Sequence, residues 1–198
     1  GGPRDHITVP GPWGYGPVPD REPLLGWYDD YKQETIDAHI LQAASRGIEH
    51  FSFYYYWKEN GGGPRPGQNI ELFRQSQYKN LMSYFLYYVA DGSYGMKEWK
   101  DNIVPKLISY MKDPNYKKTA DGRPIIGFFG DMEGRLGGST ASLREGLDYL
   151  RSECQKEGVG NPLLLYDGYR TLDLFIAQGY DGFLPLNLAG IGLDDNKG

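Results

Sequence analysis

Short runs of apolar residues alternate with segments of helical periodicity along most of this 198-residue chain. The apolar runs have the length of buried strands, and the periodic segments repeat their apolar residues every three or four positions. The sequence predicts strands over residues 51–57, 81–90, 124–130, 163–166 and 183–186. It predicts helices over 34–46, 97–112 and 172–178, and a further one that carries residues 143–154. This strict alternation requires a parallel sheet, because each helix returns the chain to the start of the next strand.

Such a sheet is either doubly wound or closed as a (β/α)8 barrel. Five predicted strands are fewer than the eight of a closed barrel, so a barrel formed by this chain would be open. Its unpaired edges would then be covered by remaining barrel sequence or by a partner chain. We expect a single domain over residues 1–198, in which the Gly- and Pro-rich residues 1–22 form an irregular loop.

Two small residues indicate where one predicted helix ends and which side of another faces the core. Gly47 follows the first helix at the position where a left-handed residue would end it. Cys154 continues the helical spacing of Leu143, Leu147 and Leu150, so we expect it to face the core. Because it is the single cysteine, the chain has neither an internal disulfide nor a thiolate metal cluster.

The charge balance is acidic, with 21 Lys and Arg residues against 26 Asp and Glu residues and a net charge of -5. Without an excess of cations, we expect neither nucleic acid nor an anionic membrane surface as a partner. No apolar run approaches the roughly 18 residues of a membrane-spanning helix, so we also expect no membrane insertion.

Motifs for phosphate and metal binding are also missing. Residues 61–63 are glycines followed by Pro64, and no Gly-Lys-Ser/Thr comes after them, so they do not match a nucleotide-binding loop. His6, His39 and His50 are scattered, which gives no support to a histidine metal site or a Ser-His-Asp triad. We therefore expect no cofactor and no metal.

Acids and aromatic residues follow the predicted strands, where parallel α/β proteins place their chemistry. Four successive strand ends combine a carboxylate with an aromatic ring. Carboxylates accept hydrogen bonds from hydroxyls and rings stack on the C–H faces of sugars, so the pattern predicts a site for a neutral polyol. The candidate substrate-binding residues are Tyr56, Trp57, Glu59, Asp91, Asp167 and Tyr169. The alternative is that the acids only cap the helices that follow.

Asp131 and Glu133, which follow the predicted strand 124–130, are the candidate catalytic residues. Two positions apart, they would point to the same face if the strand continued, and one would donate a proton while the other supported it. This argument lapses if the chain turns at Gly130. We expect Glu133 to be the acid, because it reaches farther and because the neighbouring Phe128 and Phe129 would desolvate it.

Several short motifs occur in a fixed order between residues 23 and 129. They are L-L-G-W-Y-D (24–29), Y-Y-Y-W (54–57), N-I-E-L-F (69–73), D-P-N-Y (113–116) and D-G-R-P (121–124). In order and spacing they resemble the WbsX-like proteins, a group similar to family 99 glycoside hydrolases. The resemblance implies a (β/α)8 barrel that acts on glycans, with relatives that are endo-acting mannan hydrolases or glycan-biosynthesis proteins.

Two segments depart from the family pattern. Residues 88–92 read Y-V-A-D-G where the family has an A-N-E-N-like segment, and the late W-N-E-W-like segment, which would supply catalytic glutamates, is missing. M-E-G at 132–134 is similar instead to family 71 α-1,3-glucanases. With these similarities, the chain is expected to belong to an endo-acting glycoside hydrolase that cleaves a polysaccharide or glycan of the α-mannan or α-glucan type. The strand count adds that the α/β barrel in this chain is incomplete. The alternatives are a non-catalytic glycan-binding module and a glycosyltransferase-associated protein. We expect a secreted, periplasmic or cell-surface location.

Overall fold

The computed structural model describes residues 28–57, 63–64, 69–92, 94–168 and 171–184. The chain divides into two compact units, Gly1–Ile48 with Gly67–Leu81 and Glu49–Pro66 with Met82–Gly198. The irregular loop predicted for residues 1–22 lies outside the described residues. A single partial barrel domain over the whole chain stays a prediction.

The described residues of the first unit form two helices, α1 (Gln33–Ala44) and α2 (Asn69–Gln75), and a 3-10 turn at Lys79–Leu81. α1 buries side chains at helical spacing, which are Thr35, Ile36, Ile40 and Ala43. Gly47 follows α1 with a φ of 77°, a left-handed conformation that glycine adopts without steric cost. The predicted end of the first helix is therefore confirmed. α2 was not predicted from the sequence.

The sheet of the second unit consists of parallel strands. They are β1 (His50–Tyr56), β2 (Ser83–Ala90), β3 (Ile125–Gly130), β4 (Leu163–Asp167) and β5 (Gly182–Phe183). A doubly wound sheet reverses its strand order at a switch point, whereas a barrel adds each strand beside the last. Here the order in the sheet is the order in the sequence. Among the described residues β1 and β5 remain edge strands, so the expected open portion of a (β/α)8 barrel is confirmed.

The helices of the second unit are α3 (Met96–Glu98), α4 (Val104–Met111), α5 (Met132–Arg135), α6 (Thr140–Lys156) and α7 (Leu172–Gln178). A π-helical turn over Trp99–Ile103 joins α3 to α4, so the predicted helix 97–112 is one segment with a local change of pitch. α6 begins at a capping box in which Ser139 and Ser142 each accept the other's backbone N–H. Cys154 is buried, as predicted, and burial raises the pKa of its thiol to about 12.

Helices cover one face of the sheet. The buried side chains that lie in register on this face are Tyr55, Tyr88, Phe128 and Tyr166. The Trp99 ring lies 5.8 Å from that of Tyr88, and its indole N–H donates to the carbonyl of Gly146 in α6 at 2.9 Å. Because side chains alternate along a strand, the residues before and after these four point to the opposite face.

Asp181 joins the amino ends of the last two strands to neighbouring segments. Its Oδ2 accepts from the backbone N–H of Leu164 at 2.8 Å and lies 3.0 Å from the Arg151 guanidinium and 3.1 Å from that of Arg123. Burial by itself would raise the pKa of Asp181, but the backbone N–H and the two guanidinium groups outweigh it, so this pKa is lowered. The carboxylate therefore stabilises the fold in its charged form.

We predict that Asp181→Asn lowers the free energy of unfolding by about 1–2 kcal/mol near neutral pH, because the charged acceptor is lost. Since the folded-state pKa lies below the ordinary value, this contribution is present above about pH 4 and is lost as the pH falls through the folded-state pKa. Denaturant titrations over this pH range measure it. Glu145→Gln, at a surface ion pair with Lys100, is the control and should cost less than about 1 kcal/mol. A difference between wild type and Asp181→Asn that persists at the lowest pH would contradict the prediction.

Candidate functional site

Four residues lie in register near the carboxyl ends of the first four strands. Tyr56 of β1 lies beside Val89 of β2, and Phe129 of β3 lies between Val89 and Asp167 of β4. Neighbours in register point to the same face, which here is opposite to the face covered by Trp99. We call Tyr56, Val89, Phe129 and Asp167 the upper layer. The structure thus brings two of the predicted binding residues, Tyr56 and Asp167, to one face.

The next level towards the amino ends, the lower layer, consists of Tyr54, Tyr87, Gly127 and Leu165. The ring of Tyr87 lies edge-on to Tyr54, with centroids 5.1 Å apart, and nearly parallel to Phe129, with centroids 6.4 Å apart. Tyr54 stacks on Tyr56 with centroids 6.3 Å apart. These ring contacts join the two layers into one aromatic cluster.

The rings of this cluster differ in their exposure. Tyr54 and Phe129 keep 49% and 46% of their surface exposed, whereas Tyr87 is buried. Tyr56 and Asp167 are half-buried. We call Tyr54, Tyr56, Phe129 and Asp167 the aromatic face. Exposed rings beside a carboxylate can contact the C–H face of a sugar while the carboxylate accepts hydrogen bonds from its hydroxyls.

A hydrogen bond from the Tyr87 hydroxyl to Oδ2 of Asp167 connects the buried ring to the carboxylate. Burial, and then this hydrogen bond, raise the pKa of the Tyr87 phenol well above its usual value. The pKa of Tyr54 is also raised, first by burial and then by Tyr56 and the charge of Asp167. Tyr87 is therefore protonated at neutral pH, and its hydroxyl is available as the donor to Asp167.

Trp57 lies apart from the aromatic face. It directly follows β1, and the alternation of side chains turns it to the covered face. Trp57 is only 3% exposed, and its indole N–H donates to Oε1 of Glu98 at 2.9 Å. With its ring covered, Trp57 holds the end of β1 against α3, and the aromatic face is formed without it.

Asp131 occupies the cap position of α5. Gly130 has a φ of 88°, so the chain turns there and the strand alternation ends. The exposed Asp131 carboxylate accepts from the backbone N–H of Gly134 at 2.8 Å, which is the contact of a helix N-cap. The condition on the same-face argument for Asp131 and Glu133 is therefore not met, and a catalytic role for Asp131 stays a prediction.

Glu133 lies within α5 and is half-buried. Its Oε2 accepts from Nε2 of Gln178 in α7 at 2.5 Å and from the hydroxyl of Thr140 in α6 at 3.3 Å. These two contacts tie three helices together through one carboxylate. A catalytic role for Glu133 stays a prediction, and any such role would have to operate from within this set of contacts.

The charges of Asp91 and Asp131 both raise the pKa of the same tyrosine, Tyr94, which follows β2. Burial raises the pKa of Tyr94 to about 12, the Tyr88 hydroxyl and the Arg135 guanidinium act against this, and the charges of Asp131 and Asp91 add to it. Asp91 itself is half-buried directly after β2. Asp91 and Asp131 thus follow the neighbouring strands β2 and β3, and both charges raise the pKa of Tyr94.

Two predicted binding residues, Glu59 and Tyr169, lie outside the described residues. Conversely, sequence reasoning missed Tyr54, Tyr87 and Phe129 as members of the site. Their signal is the alternation within the strands: Tyr54 precedes Tyr56 by two positions, and Phe129 comes one position before the strand end. The register that places Phe129 beside Asp167 is a property of the folded sheet.

Within the described parts of the chain, no group of three or more His, Cys, Asp or Glu side chains is placed to hold a metal ion. In the same residues, no helix combines the length and the apolar character that crossing a bilayer requires.

No protein-family model matches the chain, and no curated protein matches it significantly. Solved structures do share its fold. The family 99 endo-α-mannosidase from Bacteroides thetaiotaomicron matches with a TM-score of 0.59 and 16% identity, over 83% of this chain and 46% of that one. The structure of that enzyme with bis-tris propane matches with a TM-score of 0.59 and 14% identity, over 83% of this chain and 49% of that one.

The chain therefore spans just under half the length of these two structures. A glycoside hydrolase-like protein also matches, with a TM-score of 0.49 and 15% identity over 74% of this chain and 47% of that one. At 16% and 14% identity, the likeness to the two endo-α-mannosidase structures concerns the fold. It agrees with the strand order of the sheet: the chain has the architecture of part of a (β/α)8 barrel.

Proposed function

We propose that this chain is part of a glycoside hydrolase-like protein that acts on a neutral glycan, and that the aromatic face binds a sugar. The observation that carries the proposal is the juxtaposition of the exposed Tyr54 and Phe129 rings with the Asp167 carboxylate at the carboxyl ends of parallel strands. This end of the sheet is where β/α barrels bind their substrates. Rings and a single acid, without a cluster of cations, fit an uncharged polyol.

The proposed substrate is a polysaccharide of the α-mannan or α-glucan type. The similarity of fold to the endo-α-mannosidase supports the first, and the M-E-G sequence at 132–134 supports the second. We also propose that the protein is secreted, periplasmic or at the cell surface. The edges of β1 and β5 would be paired by further barrel sequence or by a partner chain.

A second candidate function is glycan binding without catalysis, and one observation favours it. Both predicted catalytic acids make contacts that stabilise helices: Asp131 caps α5, and Glu133 accepts from Gln178 and Thr140. In this second candidate function the two acids serve the structure alone. A binding module needs only the aromatic face.

Hydrolysis and binding are separated by two measurements on the full chain. Incubation with an α-mannan and an α-1,3-glucan, followed by a reducing-end assay, detects cleavage, and affinity gel electrophoresis with the same polymers detects binding. Release that is lost in Glu133→Gln would support the hydrolase with Glu133 as its acid. Binding without release would support the binding module. Absence of both would contradict any glycan-directed function for these polymers.

We predict that Tyr54→Ala weakens binding to the polysaccharide by about 1–3 kcal/mol, because the exposed ring loses its contact with the sugar. Tyr149→Ala on α6 is the matched control and should leave binding unchanged. Affinity electrophoresis of both variants measures the effect, and circular dichroism checks that they fold. Equal affinities for Tyr54→Ala and wild type would remove Tyr54 from the binding surface.

A further inference from the structure

Tyr87 reaches across a whole strand to contact Asp167. Tyr87 belongs to β2 and Asp167 to β4, and β3 runs between them. The residue of β3 that lies beside Tyr87 in register is Gly127. The Tyr87 ring therefore passes over the position where any other residue of β3 would carry a side chain.

Gly127 provides the space for this crossing. A Cβ atom at position 127 would lie 2.7 Å from Cδ2 of Tyr87 and 2.7 Å from Cδ2 of Leu184, closer than such atoms approach one another. The backbone at Gly127 is in an ordinary strand conformation, so its φ angle does not call for glycine. A glycine within a strand weakens it. The close approach of the Tyr87 ring and of the Leu184 side chain is the structural reason for glycine here.

Asp167, on the other side of β3 from Tyr87, uses one of its two carboxylate oxygens in a hydrogen bond. Among the described residues, the Tyr87 hydroxyl is the hydrogen-bond donor to Asp167, and it binds Oδ2. Tyr87 is buried and flanked by Tyr54 and Phe129, which fix the plane of its ring. The donor is therefore rigid, and Oδ1 of Asp167 is left for a ligand on the aromatic face.

We propose that Tyr87 is a positioning residue, which through the gap at Gly127 holds Asp167 so that its Oδ1 accepts a hydrogen bond from a hydroxyl of a neutral sugar lying against Tyr54. This inference rests on the proposed function, because the aromatic face must bind a glycan. It assigns a role to a buried tyrosine that does not itself touch the sugar. The buried hydroxyl determines the orientation of the carboxylate, and the exposed rings supply the contact area.

The test is a double-mutant cycle on the full chain, read as affinity for an α-mannan and an α-1,3-glucan by affinity electrophoresis. We expect Tyr87→Phe, which keeps the ring, to lower affinity about tenfold, and Asp167→Asn to lower it by at least as much. The double variant should bind as Asp167→Asn does, because Tyr87 acts only through the carboxylate. Independent losses that add up in the double variant would overturn the proposal.

Tyr84→Phe is the matched control, because it removes a tyrosine hydroxyl from the same strand. Tyr84 donates to Oδ2 of Asp113 at 3.3 Å, away from the aromatic face, and its loss should leave glycan affinity unchanged. Asp167→Glu is a second variant that does not disturb the buried ring. It keeps the charge but moves the carboxylate by one methylene, and we expect it to lose affinity about as Asp167→Asn does.

The outcomes separate this inference from the function on which it rests. If wild type binds neither polymer, the proposed function fails and the positioning role fails with it. If wild type binds and Tyr87→Phe or Asp167→Glu binds equally well, the positioning role alone is overturned. Loss in both variants, with Tyr84→Phe unchanged, supports it.

Discussion

Replacement of Trp99 by alanine is expected to lower the free energy of unfolding by about 3–5 kcal/mol, a large part of the stability of a domain. Trp99 is buried, its ring lies 5.8 Å from Tyr88 and 6.4 Å from Phe128, and its N–H donates to the carbonyl of Gly146. The variant would leave a cavity against the covered face of the sheet. It would also lose the hydrogen bond that joins the π-helical turn to α6.

Urea titration of the full chain measures this loss, and two variants calibrate it. Leu172→Ala removes an exposed apolar side chain and should stay within about 0.5 kcal/mol of wild type. Trp99→Phe keeps a ring but loses the N–H donor, so its cost should lie between the two. If Trp99→Ala were no more destabilising than Leu172→Ala, Trp99 would not pack in the core as described.

The alternation of strands and helices could be read from the sequence because each buried strand is a continuous apolar run. In a parallel sheet both faces of a strand are covered or partly covered, so runs such as residues 51–57 and 81–90 stand out. The number of strands then indicates an open barrel, and the structure agrees. The choice between a doubly wound sheet and a barrel needed the order of the strands in the sheet, which cannot be read from the pattern of apolar residues.

The short elements were less predictable. α5 spans only Met132–Arg135, too few residues for a helical period to appear, and its signal is the cap at Asp131. The π-helical turn over Trp99–Ile103 keeps the apolar spacing of a helix nearly intact, so the sequence predicts one continuous helix there. In both places the prediction depended on periodicity, which needs more residues than these elements contain.

For the candidate site, the sequence placed the candidate residues after the strands but did not give the direction of each side chain. Tyr56 and Asp167 lie on one face because the register places them in one layer. Trp57, one position further along, turns to the covered face, because a shift of one residue moves a side chain to the other face of the sheet. Substrate binding by Trp57 stays a prediction. The interpretation of Asp131 as a helix cap, one of the two alternatives, matches its contact with Gly134.

Gly127→Val is expected to lower glycan affinity at least tenfold, the second large effect, because it forces Tyr87 away from Asp167. The new Cβ would lie 2.7 Å from the Tyr87 ring and 2.7 Å from Cδ2 of Leu184. Because Tyr54 and Phe129 flank the Tyr87 ring, the ring makes room only by moving away from β3, and its hydroxyl then leaves Asp167. Overpacking of this kind also costs about 1–3 kcal/mol of stability. The loss of affinity and the loss of stability have one cause, the valine side chain that fills the space at position 127 of β3.

Gly95→Val is the control for adding a branched side chain in place of glycine, because a Cβ atom there meets no neighbour within 4 Å. It should leave glycan affinity unchanged. Combining Gly127→Val with Tyr87→Ala would relieve the contact with the ring and recover part of the stability, but it would not restore affinity, because the donor to Asp167 is gone. Wild-type affinity in Gly127→Val would mean that Asp167 binds sugar without Tyr87, and recovery of affinity in the double variant would mean that the gap serves packing alone.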